Sequence, residues 1–447
     1  RAQNRMTRAD LDPDIAKLMS DPAVLGGTVD QIETHAARVF LSGASAYKLK
    51  KPVDLGFLDF STVEARRQAL QAELELNHEG APQLYRRIVW ITRGEDGSLA
   101  LDGDRERVEP VLEMARFDQD QLLDRLAASG KIDAALARDL ADAVFDSHGH
   151  AARAGGVQGA ARIRKVLADA ARRCRSEPGA PAARIDAVAK ALDARFAQHA
   201  DLLDARARAG FVRRCHGDLH LKNIVRLNGR TVLFDALEFD EDLATTDTLY
   251  DLAFLVMDLV HRGLAALAAS LLSQYAARLD GELAVEGLAL LPAFCGVRAL
   301  IRAMVSLERG RAGDGEVAAA YLDLAQRCAA PPAPMIIGVG GLSGTGKSTL
   351  AESLAPDLGP PPGALVIRAD LERKALEGVS WREELPKSAY TREASRRVYH
   401  RQRDKARRAA AAGCAVIVDA VHSRQDERDK LEAEARSADA AFLGLWL

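Results

Sequence analysis

Apolar and polar positions alternate in two short runs near the front of the chain, RVFLSG and SAYKLKKP, and the Gly-Ala-Ser turn between them predicts a hairpin. The stretch DFSTVEARRQALQAELELNHEG opens on a Ser-Thr cap and ends in glycine, so a helix is expected to follow. LYRRIVWITRGEDGSLALDG predicts a second hairpin around Glu95 to Ser98, which completes a small sheet carrying one helix. From about residue 118 to 213 the pattern turns helical and alanine-rich, broken by SEPGAPAAR, a loop by its Pro and Gly content. Two short strands around LNGR come next, and helices then dominate to about residue 328.

The segment CAAPPAPM, 328–335, holds three prolines and can continue neither a helix nor a central strand. Beyond it the pattern resets to strand MIIGVGG, helix KSTLAESLAPDL, strand ALVIRAD, a long helix from Arg392 to Ala412, strand CAVIVDA, a helix, and strand AFLGLWL. Such alternation implies a parallel sheet with helices on both faces. The expected organisation is a sheet lobe over 1–115, a helical lobe over 116–329, a linker over 330–335 and a doubly wound α/β domain over 336–447.

Length agrees with this division, since 447 residues at roughly one domain per 150 allow two or three. A formal charge of -3 and an interspersed pattern such as RRQALQAELEL describe solvated helix faces, so no nucleic-acid partner is expected. Cys174, Cys215, Cys295, Cys328 and Cys414 are odd in number and lack C-x-x-C spacing, which argues against a disulfide framework or a structural zinc site and for a reducing, cytoplasmic compartment. No uninterrupted apolar run reaches the roughly 18–20 residues that span a bilayer. YDLAFLVMDLVHRGLAALAASLL, broken by Asp251, Asp258, His261 and Arg262, reads as a core helix, and no membrane partner is expected. The chain opens on Arg1 and stops in AFLGLWL with no turn after it, which reads as cut at both ends.

GLSGTGKS fits G-x-x-x-x-G-K-[ST] between an apolar strand and a helix. In that setting the backbone of Gly341, Ser343, Gly344, Thr345 and Gly346 is expected to wrap a phosphate chain, with Thr349 in the helix that follows. Lys347 would reach the terminal phosphates and Ser348 would hold Mg2+. Asp419, ending the strand AVIVD, is the expected second Mg2+ partner of this Walker-type site. Asp370 follows LVIRA where open parallel sheets bind ligands, and is the candidate to take a substrate proton, with helix capping as the alternative; Arg373 and Lys374 stand one turn further on. This part resembles the small-molecule kinase branch of the P-loop fold, similar to gluconate, adenylylsulfate and zeta-toxin-like kinases, in which an Asp followed by Arg occupies this place. That branch carries an Arg-bearing lid helix after the fourth strand, so a lid is expected beyond Leu447.

CHGDLHLKNIVRLNGRTVLFDALEF sets Asp218, Asn223 and Asp235 in the order a kinase catalytic loop needs: a carboxylate for the hydroxyl proton, an amide for one Mg2+, and a second carboxylate for the other. A lysine on the small sheet and a helix glutamate complete such a site. Lys50 is preferred by comparison with A-x-K patterns, with Lys48 two residues earlier on the same face. Glu73 is the preferred glutamate, with Glu64 and Glu75 behind it. His216 is expected to orient its loop, His148 and His150 to end a helix, Asp251 to cap a helix or brace the loop, and Arg298 and Arg302 to meet an anion or a buried partner.

HGDLHLKN resembles the H-G-D-x-x-x-x-N loop of aminoglycoside phosphotransferases and their choline- and homoserine-kinase-like relatives, and LFDALEF resembles their Mg2+-binding segment. With ETHAARVFLSGASAYKLKKPVDLGFLDFST at its front, the whole chain resembles a bacterial two-part family that joins such a domain to a P-loop kinase domain. The resemblance implies a bilobal protein-kinase-like fold followed by a P-loop NTPase sheet, with ATP and Mg2+ as cofactors. It also implies phosphoryl transfer to a small-molecule hydroxyl, with nucleotide at two sites. The alternative is a nucleotide-responsive regulatory protein whose P-loop domain acts as a switch.

Overall fold

The alternating runs at the front build a six-stranded antiparallel sheet. In the structure, a computed structural model that describes residues 7–8, 10–34, 36–54, 59–238, 240–331 and 333–447, its strands are Val29–Glu33 (β1), Ala37–Ser42 (β2), Ser45–Lys50 (β3), Tyr85–Arg93 (β4), Leu99–Leu101 (β5) and Glu106–Ala115 (β6). Their order is β1-β2-β3-β6-β4-β5. Side chains two apart share a face, so Phe40 of β2 joins the core under the helix Pro13–Ser20, with Ile15, Met19 and Leu49, while its neighbour Leu41 joins the opposite core. The second core lies under helix Val63–Gly80 (α1), whose Thr62 hydroxyl accepts the Ala65 N–H as cap. The buried stripe of α1 is Arg66, Leu70, Glu73 and Asn77, three polar residues and one apolar one, and it brings the charged part of the site inside.

Strand β6 escapes the sequence reading because Pro110 argues against a central strand. The structure accommodates it: β3 pairs with β6 only from Ser45–Ala115 to Lys48–Leu112, and Pro110 lies past the end of that ladder, opposite Trp90 of β4. The hairpin Ile224–Leu227 (β7) and Arg230–Leu233 (β8) turns at Asn228 and Gly229 as expected. One compact unit comprises Arg1–Ser129, His216–Asp218 and Lys222–Ala244, so most of the 215–239 segment groups with the sheet.

The second unit comprises Gly130–Cys215, Leu219–Leu221 and Thr245–Leu447. Its helical part includes Ala134–His150 (α2), Thr248–His261 (α3), Ala265–Arg278 (α4) and Leu291–Arg309 (α5). Every residue of α3 from Thr248 to Leu259 is buried, which fits the core-helix reading. The stretch Glu282–Arg309, which includes α5, is long and apolar enough to cross a membrane by length and composition, although no uninterrupted run in it is. Arg298 and Arg302 break its apolar run, and 78% of its apolar window is buried inside the fold, so it acts as a core helix.

Beyond residue 334 the main elements are Met335–Gly340 (β9), Lys347–Leu354 (α6), Leu365–Arg368 (β10), Ala369–Glu377 (α7), Arg392–Ala411 (α8), Ala415–Asp419 (β11), Gln425–Ser437 (α9) and Ala441–Trp446 (β12). The strands form a parallel sheet in the order β10-β11-β9-β12. Ile337 and Val339 pack with Ala351 of α6 and Ala269 of α4, while Gly338, on the other face, lies against Leu431 of α9. The doubly wound arrangement expected from the sequence is therefore present.

The proline-rich 330–335 segment, of which Pro332 lies outside the described residues, links helix Asp314–Cys328 to β9. The segments on its two sides nonetheless pack as one unit. Ala269 belongs to the core of the parallel sheet, and Glu372 of α7, 1% exposed, binds Arg401 Nε at 2.8 Å and Lys405 Nζ at 2.9 Å. Lys405 also donates to the Ala276 and Ala277 carbonyls in the last turn of α4, at 2.8 and 3.0 Å. Burial lowers the Lys405 ammonium below its usual value, against the pull of Glu372. Removing the carboxylate in Glu372→Ala strands a buried cation, and the expected loss is about 3–5 kcal/mol. Urea denaturation of the full chain checks this through a lower midpoint.

Candidate functional site

Strand β3 points Lys48 and Lys50 to one side, and α1 delivers Glu73 between them. Glu73, with no exposed surface, binds Lys48 Nζ at 2.6 Å through Oε1 and Lys50 Nζ at 2.7 Å through Oε2. The two lysines then diverge. Lys48 reaches Asp235 Oδ1 at 2.7 Å, and Lys50 reaches Glu238 Oε1 at 2.5 Å. Asp235 is two-fifths exposed whereas Glu238 is nearly covered, so Lys48 stands on the open side of the cluster and Lys50 on the closed side. Glu64 and Glu75 lie on the outer face of α1, bound to Arg67 and Gln71.

Electrostatics fix the charges. Desolvation works against the Lys48 ammonium, but Asp235, Glu73 and Glu238 outweigh it and hold the group well above its ordinary value. Desolvation likewise pushes the Asp235 carboxyl up, and the Lys48 charge and hydrogen bond, with Lys50 and His216 behind, overcome it and bring the group to about 2. Burial raises the Glu238 carboxyl, with Lys50 opposing. Asp235 sits at φ 59°, a conformation costly for a residue with a side chain. Two polar residues missed by the sequence reading hold its turn: its N–H donates to the Tyr85 hydroxyl, and the Ala236 N–H donates to Asn77 Oδ1, both at 2.9 Å. Asn77 lies one helical turn from Glu73, and that i, i+4 spacing was the available signal.

Asn223 Nδ2 donates to both the carbonyl and Oδ2 of Asp218 at 2.9 Å, which fixes the carboxylate. With that nitrogen committed, the atom Asn223 can offer a cation is its oxygen. Three further bonds zip the loop to the 234–237 segment: His216 Nε2 donates to the Phe234 carbonyl, Phe234 N–H to the Asn223 carbonyl, and Leu237 N–H to the His216 carbonyl. Gly217, at φ 81°, is required here, because a Cβ would stand 2.9 Å from that of Leu237 and 3.2 Å from that of Ala244.

In the second unit, Asp258 Oδ2 accepts the Leu221 N–H at 3.1 Å. Asp247 caps α3, so Asp251 is no cap; it is fully buried, 3.3 Å from His148 Nε2 and 4.0 Å from Arg298 Nη2. His148, Cys215 and Asp251 place ligand-type atoms within 4.8 Å of one another, and the Arg298 guanidinium already supplies positive charge to that cluster. His148 is thus a buried partner, while exposed His150 binds the Asp146 carbonyl. Arg302 lies over the Tyr321 ring.

At the phosphate loop, Gly341, Gly344 and Gly346 all have positive φ, and Ser343, Gly344, Thr345, Gly346 and Thr349 are exposed around the start of α6. Lys347 Nζ donates to the Leu342 carbonyl at 2.5 Å, and Thr345 Oγ1 donates to the same carbonyl. Ser348 Oγ donates to Asp419 Oδ2 at 2.5 Å, a pairing of hard oxygen donors that suits Mg2+. Burial pushes the Asp419 carboxyl up, against the Ser348 bond and the Arg368 and Lys347 charges. Arg368 caps α7 by position, which leaves Asp370 in its first turn, half-exposed and 3.3 Å from Lys374. Arg373 is buried, bound to the Ala389 carbonyl beneath Tyr390, so it holds the fold rather than a ligand.

A model of the phosphotransferase enzyme family matches residues 59–288, just over half of the chain, and one described as an AAA domain matches residues 336–447. The chain belongs to the phosphotransferase enzyme family. Uncharacterized proteins of Mycobacterium tuberculosis and Mycobacterium bovis are each 31% identical over 430 residues, covering 93% of this chain and 83% of theirs. Among solved structures, a choline/ethanolamine kinase family protein from Mesorhizobium loti covers 70% of this chain and 91% of its own, at 17% identity and a TM-score of 0.42. The GDP complex of aminoglycoside 2'-phosphotransferase-IIIa covers 70% and 99%, at 12% identity and a TM-score of 0.45. Within this phosphotransferase the match spans α1 of the sheet unit, the 216–223 loop and α3.

The glycine of the phosphotransferase loop provides a direct check. Gly217→Ala is expected to cost about 1–3 kcal/mol through the strained φ and the Leu237 contact. A lower thermal midpoint, with lower turnover, would confirm it.

Proposed function

We propose that this phosphotransferase uses ATP and Mg2+ to phosphorylate a small-molecule hydroxyl, and that its P-loop part binds a second ATP. The observation that carries the reading is Lys48, held between Glu73 and Asp235 in the unit that also contains the Asp218–Asn223 pair. The acceptor oxygen forms its bond to the γ-phosphorus as the bond to ADP breaks, and the acceptor proton passes to Asp218. Asn223 and Asp235 would hold Mg2+, and Asp235 suits that task because it stays ionised. Bound Mg2+ supplies the positive charge that phosphoryl transfer develops a need for. We assign the phosphate-binding role to Lys48 and not, as the sequence suggested, to Lys50. Both lysines bind two carboxylates, but the far partner of Lys50, Glu238, is nearly covered while that of Lys48, Asp235, is two-fifths exposed, and the A-x-K triplet of the chain is Ala46-Tyr47-Lys48.

In the P-loop part, backbone N–H groups from Gly341 to Gly346 and Lys347 would take the phosphates, Ser348 and Asp419 would hold the metal, and half-exposed Asp370 would accept the proton of a second acceptor. All five cysteines are unpaired, which supports a reducing, cytoplasmic setting.

The test is ATP turnover with Mg2+ across aminoglycosides, sugars, choline and nucleosides. Asp218→Ala should lose acceptor-dependent turnover by about 10²–10⁴-fold, while Lys347→Ala keeps it. Retention of turnover in Asp218→Ala would remove the reading. The lysine assignment is tested separately: Lys48→Ala should lower turnover by about 10²–10³-fold in a protein that stays folded. Lys50→Ala, which strands the nearly covered Glu238 and leaves buried Glu73 with Lys48 alone, should instead lower the unfolding midpoint by the equivalent of about 3–5 kcal/mol.

A further inference from the structure

A chain of charges runs from the helical part of the second unit into the phosphate loop. Arg138 of α2 donates through Nη2 to Glu352 Oε1 of α6 at 2.9 Å, and Arg368, at the end of β10, donates through Nη1 to the same oxygen at 3.0 Å. The Arg368 Nε lies 3.7 Å from Asp419 Oδ2 and is buried with no hydrogen-bond partner of its own among the described residues. Asp419 in turn accepts from Ser348. Arg138, Glu352 and Arg368 are each only about one-sixth exposed, so water screens the chain weakly.

Glu352 is the member that needs explanation. It sits one helical turn after Ser348 on the helix that starts at the phosphate loop, where its charge works against a polyphosphate. Two guanidiniums answer it, and one of them comes from a helix about two hundred residues earlier. Arg138 also lies over the Trp381 ring at 5.4 Å, and Arg382 lies over the same ring at 4.4 Å. The neighbour of Arg138, Asp139, binds Arg382 through both oxygens at 3.0 and 2.5 Å, so α2 is clamped to the P-loop part independently of Glu352.

We propose that Arg138 is a positioning residue of the P-loop nucleotide site: by sharing the charge of Glu352 it leaves Arg368 set beside Asp419, and so raises nucleotide affinity at that site. The phosphotransferase helices thereby complete a site whose motif lies wholly in the other part of the chain. This inference rests on the reading of the GLSGTGKS loop as a nucleotide site.

Calorimetric titration of the full chain with a non-hydrolysable ATP analogue and Mg2+ tests it, taking the component lost in Lys347→Ala as the P-loop site. Arg138→Ala should weaken that component about tenfold. On a Glu352→Gln background, where the charge to be answered is gone, the same substitution should cost less than about twofold. Asp139→Asn breaks the clamp without touching Glu352 and should leave affinity unchanged. Equal losses from Arg138→Ala on both backgrounds, an equal loss in Asp139→Asn, or no loss at all would overturn the proposal while leaving the nucleotide site in place. Absence of any Lys347-dependent component in the unaltered protein would instead remove the nucleotide reading beneath it.

Discussion

A buried carboxylate shared by two lysines governs the sheet unit. Glu73 has no exposed surface, and an uncompensated charge there would cost several kcal/mol. Lys48 and Lys50 neutralise it, one on each oxygen, and each carries surplus charge to a further carboxylate. The result ties α1, β3 and the Asp235–Glu238 segment into one electrostatic unit. The positive φ of Asp235 and the buried hydroxyl of Tyr85 are tolerable because this network over-determines the position of that turn.

Much of this was legible in the amino-acid order. Both motifs lie in continuous stretches, so their spacing alone indicates a kinase-like loop and a phosphate loop, and the two front hairpins, α1 and the strands of the parallel sheet follow from cap residues and alternation, whereas β1 and α7 do not. What stayed hidden depends on contacts distant in sequence. Period two places Lys48 and Lys50 on one face and cannot say which of them meets Asp235, 187 residues from Lys48. The partner of Glu352 lies 214 residues away, beyond the reach of any spacing rule. Strand β6 was hidden for a local reason, since a proline tolerated past the end of one ladder looks the same in sequence as one that breaks a strand.

The kinase-like charge cluster and the glycine-rich loop are built on different principles. The kinase-like one relies on side-chain charge: two lysines and three carboxylates in direct contact, with the Asp218 carboxylate held by an amide. The P-loop one relies on backbone, with left-handed glycines leading into the N-terminus of α6. A polyphosphate at a site of the second kind would feel any nearby carboxylate, and Glu352 is the one that Arg138 and Arg368 answer.

The packing of α4 against the parallel sheet changes what the proline-rich linker means. Ala269 fills part of the sheet's own core, and the Ala276 and Ala277 carbonyls take two of the hydrogen bonds of Lys405. The 336–447 segment therefore takes part of its core packing and two hydrogen-bond acceptors from α4. Severed at the linker, it would expose to water the side of the sheet that Ala269 covers and leave Lys405 without its two carbonyl acceptors.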